Sequence, residues 1–223
     1  LKAKRARKNL FTVEFLDLQL GKHPLNTLFG QTKEEYADDK IFEKDEEIRL
    51  KPATGREIVK LLEAYNLSDT SEDIKGIAFE RFLGRTFRGE IGQFFTPRQV
   101  IAAMVRVINP TVDDTVYDPA CGTGGFLAQS YEHIHSRLGA AVNAAQLENL
   151  KNNAFFGREK ENLIYPIALA NLVLHGIDKP NLWHGNTLTG QETYGGLFAD
   201  APLTFDVILT NPPFGGKEGK DAQ

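Results

Sequence analysis

A chain of 223 residues, 41% hydrophobic and 25% charged, has room for one large domain or two modest ones and the composition of a globular protein. No apolar run approaches the ~20 residues a membrane-crossing helix needs, and the single cysteine, Cys121, excludes an internal disulfide and fits a reducing cytoplasm. The formal net charge of −4 excludes a surface that is basic throughout, so any grip on a polyanion would rest on local patches or on a partner.

Positive charge clusters at Lys2, Lys4, Arg5, Arg7 and Lys8, and again at Arg81, Arg85, Arg88, Arg98 and Arg106. Residues 34–47 are rich in acid and read as a solvated face. Thr54 with Glu57, before Ile58, Leu61 and Leu62, has the pattern of a capping box opening a helix. Thr70 with Asp73, before Ile74, Ile77, Phe82 and Leu83, repeats it, so residues 1–90 read as a mainly helical region.

From residue 91 the character changes. Thr96 as N-cap and Pro97 at the first helical position predict a helix whose apolar face is Val100, Ile101, Met104, Val105 and Ile108, ended by Asn109-Pro110. A strand follows at 115–118, then a glycine loop, then a helical segment from Phe126 that runs, with its continuation, to Leu150. Residues 153–157 form a second strand, 166–175 a helix stopped by Gly176, 181–184 a third strand, and 205–210 a fourth with the apolar run of a buried parallel strand. Strands alternating with helices predict a parallel α/β sheet.

The loop Asp118-Pro-Ala-Cys-Gly-Thr-Gly-Gly-Phe-Leu127 sits where open α/β sheets bind ligands, at the carboxyl end of a strand. Gly122, Gly124 and Gly125 allow a sharp turn and a close ligand approach. Leu127 stands where a dinucleotide fingerprint has its third glycine, and no Gly-Lys-Ser/Thr follows as in a phosphate-binding loop. The carboxylate of Asp118 would repel a pyrophosphate and attract a cation, which suits the ammonium and sulfonium of S-adenosylmethionine better than it suits NAD. Glu159, after the second strand, stands where ribose hydroxyls are gripped in nucleotide-binding folds of this kind.

The fourth strand ends in Thr210-Asn-Pro-Pro-Phe-Gly215, whose two prolines hold the backbone extended. An aromatic exocyclic amine is a poor nucleophile, because its lone pair is delocalised into the ring. The Asn211 side-chain oxygen and the Pro212 carbonyl would each accept one of its N–H bonds, favouring a pyramidal nitrogen, while Phe214 stacks on the base. Positioning and hydrogen-bond electrostatics then carry the chemistry, with no metal and no covalent intermediate. Cys121 lies in the glycine loop and reads as a small packed residue, and His133, His135, His175 and His184 have no metal-ligand spacing.

These segments in this order resemble the N6-adenine DNA methyltransferases in which the cofactor half precedes the catalytic motif, most closely the M subunit of type I restriction-modification systems. The resemblance implies a Rossmann-like methyltransferase sheet over 91–223, incomplete at its C-terminal end, behind the helical region. It implies that Phe95, Thr96 and Pro97 hold the methionine end of S-adenosylmethionine. Asp118, Gly122, Thr123, Gly124, Gly125 and Phe126 would form the cofactor loop, Glu159 would hold the ribose, and Asn186 and Thr187 the cofactor's adenine. Asn186 stands where the family often has Asp. Asn211, Pro212 and Phe214 would be catalytic, with Asn211 also at the cofactor. The implied partners are DNA, a specificity subunit and a restriction subunit, with no membrane. Because the family's domain continues past its catalytic motif, residues 1–223 alone are expected to methylate weakly or not at all and to leave strand four as an open edge. Two other readings stay open: a methyltransferase acting on cytosine N4 or a protein glutamine, and a non-catalytic assembly subunit.

Overall fold

In a computed structural model, which describes residues 10–19, 23–35, 37, 42, 44–64, 96–139, 142–177, 179–189 and 202–214, the chain divides into two units, Leu1–Thr70 and Ser71–Gln223. The basic cluster at 2–8, the expected helix from Thr70, the arginines 81, 85 and 88, the boundary expected near residue 90 and Phe95 lie outside the described residues.

The first unit contributes α1 (Val13–Asp17), α2 (Pro24–Glu35) and α3 (Pro52–Leu62), gathered on Leu16, Leu25 and Val59. The Thr12 hydroxyl caps α1 by accepting the Phe15 N–H at 3.2 Å. The capping box expected at Thr54 and Glu57 does not form, because α3 starts earlier, with Lys51 as N-cap and Pro52 supplying a first turn whose φ is already helical. Its inward positions are accordingly Gly55 and Val59, while Ile58 and Leu61 are exposed. A side chain at Gly55 would collide with Leu25 Cδ1 at 2.7 Å, so glycine lets α2 and α3 close on each other.

The second unit runs α4 (Arg98–Ile108), β1 (Val116–Asp118), α5 (Gly125–His135), α6 (Ala144–Asn152), β2 (Phe155–Glu159), α7 (Tyr165–Leu174), β3 (Asn181–His184) and β4 (Val207–Ile208). The four strands form one sheet in the order β3-β2-β1-β4 with every pairing parallel. The core is built on Val116, Leu127, Leu150, Phe155, Leu172 and Leu182, each 1% exposed or less.

Several boundaries differ from the sequence expectation. Pro97, not Thr96, is the N-cap of α4, and no side chain caps that helix. The helical stretch expected to reach Leu150 breaks in two, because Asn143 and Gln146 form a capping box that starts α6 afresh. β2 runs to Glu159, placing that carboxylate on the last strand residue rather than beyond it. β4 is short, its Ile208 is 60% exposed, and among the described residues it lies at the edge of the sheet rather than buried within it. The Asp206 carboxylate pins its start, accepting from the Thr115 N–H at 2.8 Å and the Thr115 hydroxyl at 2.7 Å.

The strand order reverses beside β1, with β2 and β3 on one side and β4 on the other. That is the switch point at which open α/β sheets bind ligands, outside the carboxyl ends of the strands. No described helix is long and apolar enough to cross a membrane.

Candidate cofactor and catalytic site

Asp118 ends β1 with 1% of its surface exposed. It accepts the Ala120 N–H at 3.1 Å. Burial pushes its carboxyl up to about 6, against the opposing pull of the Thr210 side chain and the Ala120 N–H, and the neighbouring Glu159 charge pushes the same way as burial. The loop that follows is tied to β2, where the Cys121 N–H donates to the Arg158 carbonyl at 2.9 Å, and turns on itself through the Gly124 N–H to the Cys121 carbonyl at 2.8 Å.

The three loop glycines do different work. Gly122 (φ 54°) and Gly124 (φ 82°) take the left-handed conformation that other residues resist. A Cβ on Gly124 would press on Leu172 Cδ2 at 3.1 Å, and one on Gly125 on Ile101 Cδ1 at 3.0 Å, so these two let α7 and α4 close on the loop. Nothing lies within 4 Å of a Cβ built on Gly122, which leaves the backbone there open to a ligand.

Glu159 is 9% exposed, and burial raises its pKa against three backbone N–H groups, those of Glu161, Lys160 and Gly122. The Glu161 N–H donates to Oε1 at 2.7 Å. The Gly185 N–H reaches the Glu159 carbonyl at 2.9 Å, so the loop after β3 starts from the same point. In that loop the Asn186 side-chain oxygen accepts the Leu188 N–H at 2.9 Å, and the Thr187 hydroxyl donates to the Pro119 carbonyl at 2.5 Å. The two loops are thereby tied together.

At the end of β4, Asn211 Nδ2 donates to Thr96 Oγ1 at 2.9 Å. Pro212 is exposed and Phe214 is 89% exposed. The structure thus brings Thr96, Asp118, Thr210 and Asn211 to one edge of the β1–β4 pair. It does not bring the Phe126 ring there: Phe126 is 3% exposed and belongs to the core.

Sequence reasoning missed the residues that brace the loop. Asn171 Nδ2 donates to the Thr123 carbonyl at 2.8 Å. Four residues on, α7's C-cap His175 sits with Nδ1 2.8 Å from the Asn171 carbonyl and Nε2 3.4 Å from Glu132 Oε1, and Glu132 pairs with Arg98 at 3.1 Å. The only signal in the sequence was a polar Asn171 inside an apolar helix. Cys121 is buried, and burial holds its thiol well above the usual range, which agrees with a packed residue and not a nucleophile.

The residues present fit a cationic nucleoside. A buried carboxylate that stays costly to ionise without a counter-charge opens a loop whose Gly122 has open space beside it, and a second carboxylate, which the Gly122 N–H meets, closes the next strand.

The chain matches the N-6 DNA Methylase family over residues 70–223. It belongs to that family. The N-6 DNA methylase match begins at residue 70, one residue before the second structural unit, which starts at Ser71. Among curated proteins, the chain is 34% identical over 171 residues to the type I restriction enzyme EcoEI methylase subunit of Escherichia coli, covering 73% of this chain and 32% of that protein. It is 32% identical over 158 residues to the type II restriction enzyme and methyltransferase RM.BcgI of Heyndrickxia coagulans, covering 70% of this chain and 24% of that one. The chain therefore spans between about a quarter and a third of the length of these relatives. A crystal structure of a modification subunit from Vibrio vulnificus YJ016 superposes with a TM-score of 0.61 at 33% identity, over 75% of this chain and 34% of that one. The type I restriction-modification methyltransferase subunit from Streptococcus thermophilus superposes at 0.65 with 21% identity, over 93% and 45%, a likeness of fold. The sheet is that of the Rossmann-like methyltransferases.

Proposed function

We propose that this chain carries the cofactor and catalytic corners of a cytoplasmic DNA methyltransferase that moves a methyl group from S-adenosylmethionine to N6 of adenine. In this reading it works as the modification subunit of a restriction-modification system, with a specificity subunit and a restriction subunit as partners. The observation that carries the reading is the convergence at the β1–β4 edge: the two strands pair in parallel, so Asp118 and the Asn211 corner leave the same end of neighbouring strands.

Bound there, S-adenosylmethionine would supply an electrophilic methyl group on a sulfonium. Asp118 faces the cofactor's positive charge, and Gly122 allows the backbone to approach. Thr96, Pro97, Thr123, Gly124 and Gly125 shape the methionine side. Glu159 takes the ribose, and the loop of Asn186 and Thr187 the adenine. Asn211 Oδ1 and the Pro212 carbonyl accept the two N–H bonds of the target amine and turn its lone pair toward the methyl. The exposed Phe214 ring suits stacking on a base that has left the helix.

The test is transfer of tritiated methyl groups to plasmid DNA by the full-length assembly. Asn211→Ala should abolish transfer, by roughly 100-fold or more as for other residues that set reacting geometry, while cofactor binding survives. Methylated nucleosides separated by mass spectrometry should contain N6-methyladenine. N4-methylcytosine in their place would assign a different acceptor.

A further inference from the structure

We infer that Thr96 is a positioning residue for the catalytic amide: its hydroxyl oxygen accepts Asn211 Nδ2 and holds the side chain in place, leaving Oδ1, the acceptor, for the target amine. This rests on the catalytic role proposed for Asn211. An amide is a donor at one end and an acceptor at the other, and only the acceptor end can take an N–H from an exocyclic amine. Turned by half a rotation, the same side chain would set its own NH2 against the substrate's. Pro212, Pro213 and Phe214 are all exposed, so packing of the residues after Asn211 does little to hold its orientation. The bond to Thr96, 2.9 Å long and bridging 115 positions of sequence, fixes where the side chain sits.

Two features make Thr96 a suitable anchor. A Thr at the start of a helix ordinarily turns its hydroxyl to a backbone N–H of the first turn, yet here no side chain caps α4. The hydroxyl is instead committed to Asn211. Its backbone is also held firmly. Pro97 follows, and the Pro97 carbonyl accepts the N–H groups of Val100 at 2.9 Å and Ile101 at 3.1 Å, building it into the first turn. That turn is braced by the Arg98–Glu132 ion pair and by Ile101 against Gly125. An acceptor aimed from a rigid element is worth more to a reaction than one on a free side chain.

The experiment compares wild type, Thr96→Val, Thr96→Ser and Asn211→Ala in the full-length assembly. It measures the single-turnover methyl-transfer rate at saturating cofactor and DNA, and separately the S-adenosylmethionine dissociation constant by calorimetry. Thr96→Val is expected to slow the transfer step at saturating cofactor roughly 10- to 100-fold, whatever the loss of its place on the methionine side adds to the dissociation constant, and Thr96→Ser to restore most of the rate. Thr96→Val with a wild-type rate at saturation and a weakened dissociation constant would make Thr96 a cofactor contact only and overturn the inference. So would Thr96→Ser as slow as Thr96→Val. Either result leaves the methyltransferase reading intact if Asn211→Ala remains dead. Full activity in Asn211→Ala would instead remove the reading on which the inference stands.

Discussion

Asp118 carries a conflict that makes it the most informative single residue. Its carboxyl titrates near 6 in the fold against 3.8 for the free side chain, so the folded state binds its proton more tightly than the unfolded state. Stability attributable to this group is highest at and below pH ~4, falls as pH rises toward ~6 and stays low above that. Asp118→Asn removes the cost and should raise stability at pH 7 by on the order of 2 kcal/mol, with a gain over wild type that vanishes near pH 4 in paired melting curves. The same substitution removes the charge that faces the cofactor, so cofactor binding should weaken. In wild type, binding should fade as pH drops through about 6 and the carboxylate is neutralised. A variant that is both less stable and less able to bind at pH 7 would contradict this account.

Gly157 shows at the residue scale why a small side chain can matter in a strand. A Cβ there would meet Leu182 Cδ2 at 2.7 Å, Leu127 Cδ1 at 3.1 Å and Cys121 Cβ at 3.2 Å, three elements closing on one point. Gly157→Ala is expected to cost about 2 kcal/mol by overpacking, read by chemical denaturation, and to loosen the cofactor loop through Cys121.

Among the elements, β4 depends most on a side chain. Its ladder to β1 pairs only Val116 with Val207 and Tyr117 with Ile208. Asp206 supplements it, and the Thr115 N–H and hydroxyl hold the Asp206 carboxyl below the usual range. A depressed folded pKa means that this anchor contributes above pH ~4 and is lost as pH falls through the folded value. Asp206→Ala should therefore speed hydrogen exchange at the Val207 and Leu209 amides, which donate to the Thr115 and Tyr117 carbonyls at 3.0 Å. The difference from wild type should shrink in acid. Because Asn211 follows two residues after Leu209, a loosened β4 should also slow methyl transfer.

α4 and α5 illustrate what local pattern misses. Thr96-Pro97 has a strong N-cap signature, but the Asn211 amide claims the Thr96 hydroxyl, and a distant partner overrode a local preference. Likewise His133 accepts from Arg137 at Nδ1, 2.8 Å away, leaving Nε2 to face the side-chain oxygen of Asn109, the left-handed C-cap of α4, at 2.9 Å. Its place in a helix was legible. Its task of fastening α4's end to α5 was not, because the partner is 24 positions away.

For the whole molecule, the strand–helix alternation and the loop chemistry were written locally. Asp118 and Glu159 each end a strand, the glycines and the Asn-Pro-Pro-Phe corner each follow one, and a parallel sheet carries all such turns on one edge. Composition, motif order and that one rule were enough to name the fold and the cofactor's charge. What the tertiary structure alone decided is adjacency. That β4 pairs with β1, that Thr210 lies beside Asp118, that Asn171 holds the Thr123 carbonyl and that Thr96 meets Asn211 depend on contacts between segments 48 to 115 positions apart. Such contacts are selected by the packing of the assembled sheet, and no propensity or period of a single segment encodes them.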